Sequence, residues 1–109
     1  MSDAYYAKDG VKNFQKLMEL NPDLFTSFLT FNQKVFAEGG LSVKIKELVA
    51  VACAHITRCP YCIDSHTNSA KKAGATDAEI AEVVFVAVAM NAGASFAHSC
   101  MSMEALKEK

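Results

Sequence analysis

Four residues in the middle of the chain have the types and the spacing to carry thiol redox chemistry: Glu47, Cys59, Cys62 and His66, in the frame E-x11-C-x2-C-x3-H. Two thiols three residues apart can close a disulfide across one helical turn. An imidazole four residues beyond the second thiol lies on the same helix face. The nucleophilic form of cysteine is the thiolate, favoured by a helix N-terminus, by a neighbouring histidine and by the C-x-x-C arrangement itself. All three come together here, since Pro60 suits the first turn of a helix and places Cys59 at its start. His66 can accept a thiol proton and hold the pair as thiolate and imidazolium. Glu47, within Lys44-Ile45-Lys46-Glu47, would by itself read as part of a solvated face. It joins the site only if two helices fold back and bring its carboxylate to the thiols.

Other chemistry fits the same residues. Free cysteine packs well in cores, and Cys53 and Cys100, isolated on apolar stripes, are expected to be ordinary core residues. Cys59, Cys62 and His66 could ligate zinc, with Glu47, His55 or His98 as the fourth ligand. That reading lacks the second paired knuckle that structural zinc sites bring. A third possibility is a redox-sensing or scaffolding protein whose disulfide alters assembly without turnover.

The elements that must position these side chains read as helices throughout. Val11, Phe14, Leu17 and Met18 recur at helical spacing, and Asn21-Pro22 ends that segment. A second helix starts at Pro22 or Asp23 and is stopped by Gly39-Gly40, which offer a left-handed turn. Ser42 caps a third helix to about Ile56, with Ile45, Leu48, Val49 and Ala52 as its apolar stripe. The fourth spans about Pro60 to Ala73, with Lys71-Lys72 and then Gly74 as end signals. Thr76-Asp77-Ala78-Glu79 is a capping box that opens a fifth helix. Asn91-Ala92-Gly93 is expected to bend or end it before a sixth, from Ala94 to about Lys107. The valines of the fifth segment lean towards a strand, but the cap, the glutamates and the alanines favour a helix.

The chain of 109 residues reads as a single domain, and its hydrophobic fraction of 51% favours an oligomer over a monomer. Its net charge is −1 with the two signs interspersed, so no basic face for nucleic acid or anionic lipid stands out. The opening Met1-Ser2-Asp3-Ala4 is polar and acidic, unlike a signal peptide. The most apolar run, Ile80 to Ala94, is broken by Glu82 and Asn91 and is too short to span a bilayer. A cytoplasmic protein without membrane or nucleic-acid partners is expected. In that reducing setting a C-x-x-C pair points to catalysis or metal binding more than to a structural staple.

The segment from Glu47 to His66 resembles the AhpD-like alkylhydroperoxidase core of the carboxymuconolactone decarboxylase superfamily. The downstream text from His66 to Glu82 is similar too, so that the likeness covers roughly residues 40 to 100. The resemblance implies an all-helical bundle assembling into homotrimers or homohexamers and needing no cofactor. It implies a peroxidase reducing hydroperoxides, recharged by a dithiol or a thiol protein. Carried over by position, Cys62 is the peroxide-attacking thiolate, Cys59 the resolving thiol, and Glu47 and His66 the proton relay. The decarboxylase branch does not use a C-x-x-C pair. One departure is Tyr61, where well-studied members carry a second histidine; a phenol titrates near pH ~10 and shuttles protons poorly at neutral pH.

Overall fold

The computed structural model describes residues 8–107, all of whose regular structure is helical. A 3-10 segment, Lys8–Asn13, leads into α1 (Phe14–Leu20) and α2 (Pro22–Phe36). Then come α3 (Val43–Thr57), α4 (Pro60–Lys72) and α5 (Asp77–Lys107). The caps expected from the sequence are in place. The Asn21 side chain accepts the Leu24 amide and Ser42 Oγ accepts the Ile45 amide, at 3.1 and 3.2 Å. Thr76 and Glu79 cap reciprocally, with Thr76 N–H donating to Glu79 Oε1 at 2.9 Å and Glu79 N–H to Thr76 Oγ1 at 3.1 Å. The Thr76 amide bond, helped by Lys44 at 2.9 Å, holds the Glu79 carboxyl below the usual carboxylate range.

Three expectations about helix bounds and faces are corrected. The fifth and sixth helices are one continuous 31-residue α5, with no break at Asn91-Ala92-Gly93. A single glycine inside a helix costs about 1 kcal/mol, too little to interrupt an element capped this firmly. That continuity also overturns the length argument on the apolar run: α5 is long and apolar enough to cross a membrane by length and composition. Second, Gly39 and Gly40 adopt no positive φ; α2 ends earlier, where Ala37 turns extended. Third, the buried stripe of α3 is Glu47, Leu48, Val51 and Ala54, while Ile45 and Val49 are left exposed in the protomer.

Left-handed backbone occurs instead at Arg58 and Gly74, the two hinges that flank α4. Gly74 has φ +101° with open space where a side chain would stand. The cost of a side chain there is therefore conformational rather than steric. Gly74→Ala should lower unfolding stability by about 1–2 kcal/mol, read from urea or thermal denaturation.

The core is small. Leu48 and Val51 of α3 meet Ala70 of α4 and Ala75, and Ile80, Val83 and Val84 of α5 pack onto them. Much else stays uncovered, including Phe28 and Phe31 of α2 and Phe85, Phe96 and Met101 of α5. The accessible surface is 8479 Å², whereas a compact monomer of this mass shows about 5,900 Å². The radius of gyration, 18.2 Å, likewise exceeds the roughly 13 Å of a compact chain of this length.

Candidate functional site

The site is made by the hairpin of α3 and α4. α3 ends on Arg58, a non-glycine residue in the left-handed conformation (φ 58°, ψ 48°), and the Cys59 amide donates back to Ala54 O at 3.1 Å. This two-residue reversal folds α4 back along α3. The return brings Glu47, near the start of α3, to His66, more than a turn into α4. His66 Nδ1 lies 2.6 Å from Glu47 Oε1. A carboxylate only accepts, so Nδ1 is the donor, which leaves Nε2 as the nitrogen able to exchange a proton. Glu47 is buried, the one charged side chain in the core among the described residues. A carboxylate at that depth needs a partner, and His66 is it.

Cys59 is the N-cap of α4, and Pro60 follows at the first helical position. Its sulfur accepts the Cys62 amide at 3.2 Å, so one of the free amides of the helix start is aimed at sulfur. Cys59 and Cys62 stand at disulfide distance, with Cα atoms 5.2 Å apart, inside the range that a disulfide spans without backbone movement. Both are partly buried. Cys62 and His66, one turn apart on α4, open on a cavity of about 590 Å³ walled by Val35, Phe36, Leu41 and Val49. The lining is mostly hydrocarbon, and it would admit a substrate with an apolar body.

The four residues singled out from the sequence therefore lie in one place, as two pairs: the thiols at the helix start, and the buried Glu47–His66 pair one turn along. Cys53 and Cys100 are not core residues. Both are exposed in the protomer, and Cys53 lies in the wall of the cavity that Cys62 enters. The Tyr61 ring turns towards the N-terminal 3-10 segment, where a β-carbon on Gly10 would meet its hydroxyl at 3.0 Å. His55 Nδ1 bonds Val51 O of its own helix at 2.8 Å, and His98 stands exposed far along α5. Among the described residues, no group of three or more His, Cys, Asp or Glu is placed to hold a metal ion.

Sequence reasoning missed two further contacts. Phe36, the last residue of α2, stacks on His66 with ring centroids 5.0 Å apart and planes 22° from parallel. Lys46 Nζ donates to Val35 O and Ala37 O at 2.7 and 2.6 Å, on either side of Phe36. Thirty residues separate Phe36 from His66, and no local pattern joins them.

The model of the carboxymuconolactone decarboxylase family matches residues 22–105. The chain belongs to that family. A Paracoccus denitrificans protein described as "uncharacterized protein 4 in cox locus" is 44% identical over 82 residues, which is 75% of this chain and 74% of that one. An uncharacterized protein of Cupriavidus necator is 30% identical over 82 residues, covering 75% and 73% of the two chains. The apo crystal structure of a carboxymuconolactone decarboxylase family protein from Legionella pneumophila superposes with a TM-score of 0.73 at 35% identity, covering 93% of this chain and 90% of that one. A crystal structure from Methanobacterium thermoautotrophicum gives a TM-score of 0.74 at 34% identity, with 78% and 96% covered. The AhpD-like core expected from the cysteine motif is thus the fold of this chain.

Proposed function

We propose that this family member is a thiol peroxidase that reduces hydroperoxides by cycling Cys59 and Cys62 between dithiol and disulfide. The observation that carries the reading is the pairing of the two sulfurs at a helix start, one turn from an imidazole tied to a buried carboxylate. In the first step the Cys62 thiolate attacks a peroxide oxygen. An S–O bond forms, the O–O bond breaks, and the departing alkoxide takes a proton relayed through His66 to leave as alcohol. Cys62 is then a sulfenic acid. Cys59 attacks its sulfur, the S–S bond forms and water departs. A dithiol or thiol protein returns two electrons by thiol–disulfide exchange. The setting we assign is the reducing cytoplasm.

Steady-state peroxide consumption supplied with dithiothreitol or dihydrolipoamide tests the reading. Turnover that needs both the peroxide and the dithiol supports it. Stoichiometric disulfide formation without turnover would favour a redox sensor, and about one zinc per chain after purification would favour a metal site.

We also propose that the working form is a homotrimer or homohexamer. The protomer exposes about 2,600 Å² more than a compact monomer does, an amount that obligate subunit interfaces bury. The first part of α5 packs on α3, where Ala87 is buried, so the helix is built into the bundle. Its remaining apolar face is better matched by another subunit than by lipid. Light scattering in detergent-free buffer should give a multiple of the 11.8 kDa chain mass at micromolar concentration. The monomer mass, or a requirement for detergent, would refute this.

A further inference from the structure

The end of α2 is tied to the catalytic hairpin by a contact that neither the cysteine motif nor the Glu47–His66 pair requires. A helix C-terminus leaves its last carbonyls without partners. Here Lys46 supplies them from α3, donating to Val35 O at 2.7 Å and to Ala37 O at 2.6 Å. Phe36 is the residue between those two carbonyls, so one ammonium group grips its backbone on both sides. Its ring stacks on the His66 imidazole, with centroids 5.0 Å apart and planes 22° from parallel. Lys46 and Glu47 are neighbours in sequence, hence about 100° apart around α3. Lys46 reaches α2 and Glu47 reaches α4.

His66 is therefore fixed twice. The hydrogen bond from Nδ1 to Glu47 Oε1 anchors one edge of the ring, and the stack on Phe36 limits rotation about that anchor. Phe36 and His66 line the same cavity as Cys62, so the ring held this way stands in the wall that the reacting thiol shares. We propose that Phe36, clamped by Lys46, is a positioning residue that sets the plane of the His66 imidazole for proton exchange with Cys62. Phe36 itself transfers nothing. It acts by removing the ring orientations in which Nε2 would miss the thiol. The kinetic part of this inference rests on the peroxidase reading; the structural part does not.

The test compares Phe36→Leu, Phe36→Tyr and Lys46→Met in the full chain. The first readout is the upfield ring-current displacement of the His66 ring protons in NMR spectra. The second is the rate of Cys62 alkylation by iodoacetamide in the reduced protein across pH, and the third is the rate of Cys62 oxidation by peroxide. Phe36→Leu keeps an apolar side chain but has no ring. It should abolish the ring-current displacement and slow oxidation about tenfold, below the roughly hundredfold that misplacing a reacting group by about 1 Å can cost. Phe36→Tyr keeps the aromatic face and should retain both. Lys46→Met should weaken the displacement and slow oxidation, and combined with Phe36→Leu it should add nothing further. A folded Phe36→Leu protein with wild-type rates overturns the proposal, as does a Phe36→Tyr protein as slow as Phe36→Leu. If Phe36→Leu does not fold, Lys46→Met decides alone: wild-type His66 resonances and rates there refute it. Should the wild type prove inert towards peroxide, the peroxidase reading fails by itself. The His66 resonances and the alkylation profile then still decide the positioning role of Phe36.

Discussion

Cys62→Ser is expected to reduce peroxide consumption to the uncatalysed background, whereas Cys59→Ser should complete a single turnover and stop with a sulfenic acid trappable by dimedone. The asymmetry comes from the order of bond making. Cys62 carries the first S–O bond, and a serine hydroxyl in its place does not take up the transferred oxygen. Cys59 enters only to expel water from the sulfenic acid, so its loss leaves the first step intact. The geometry suits Cys59 to that later step, because its sulfur accepts the Cys62 amide at the start of α4 and is stabilised there as a thiolate. A sulfur stabilised at a helix N-terminus is also a good leaving group when the disulfide is reduced. Mass spectrometry of each variant after one equivalent of peroxide reads the outcome. A dimedone adduct on Cys59 in the Cys62→Ser protein would reverse the two roles.

Glu47→Gln and His66→Asn should each slow Cys62 oxidation about a hundredfold while leaving the helical fold in place, the size of effect expected from losing a positioned proton carrier. Their pH behaviour should differ. Loss of the imidazole should displace the alkylation profile of Cys62 to higher pH, because a group able to stabilise the thiolate has gone. Glu47 brings no positive charge, so Glu47→Gln should leave that profile in place or move it slightly lower while the oxidation rate falls. The 2.6 Å contact adds a constraint that neither single variant reveals. Residues sharing one hydrogen bond do not act independently. The double variant should be about as slow as His66→Asn alone. Fully multiplicative losses would show that the two groups act separately, and wild-type profiles in both variants would remove them from the mechanism.

The legible part of this molecule is the part written in local signals. Ser42, Pro60 and the Thr76–Glu79 box mark helix starts because the first turn leaves amides unpaired: Ser42 and the box accept them and Pro60 brings none, and all of them are seen in that role. The C-x-x-C-x3-H spacing lies on one helix, so its geometry follows from 3.6 residues per turn. Glu47 is placed through family likeness, not physics: bringing it to His66 requires the left-handed turn at Arg58, and nothing in an arginine announces φ 58°. Phe36 and Lys46 are invisible for a similar reason, since their partners lie on other helices. The break expected at Gly93 is absent because a lone glycine is a weak stop signal, whereas Gly74 does end its helix because the chain turns there with φ +101°. The exposure of Cys53 and Cys100 follows from a core too small to cover the stripes on which they lie.

Whether Cys59 and Cys62 form the peroxide-reactive pair is read most directly by anaerobic thiol titration of the fully reduced protein before and after one equivalent of hydroperoxide, followed by peptide mapping of the product. The chain has four cysteines. Two thiols should disappear, and the mapped crosslink should join Cys59 to Cys62, with Cys53 and Cys100 still alkylatable. Four thiols remaining, or a crosslink involving Cys53 or Cys100, would contradict the assignment.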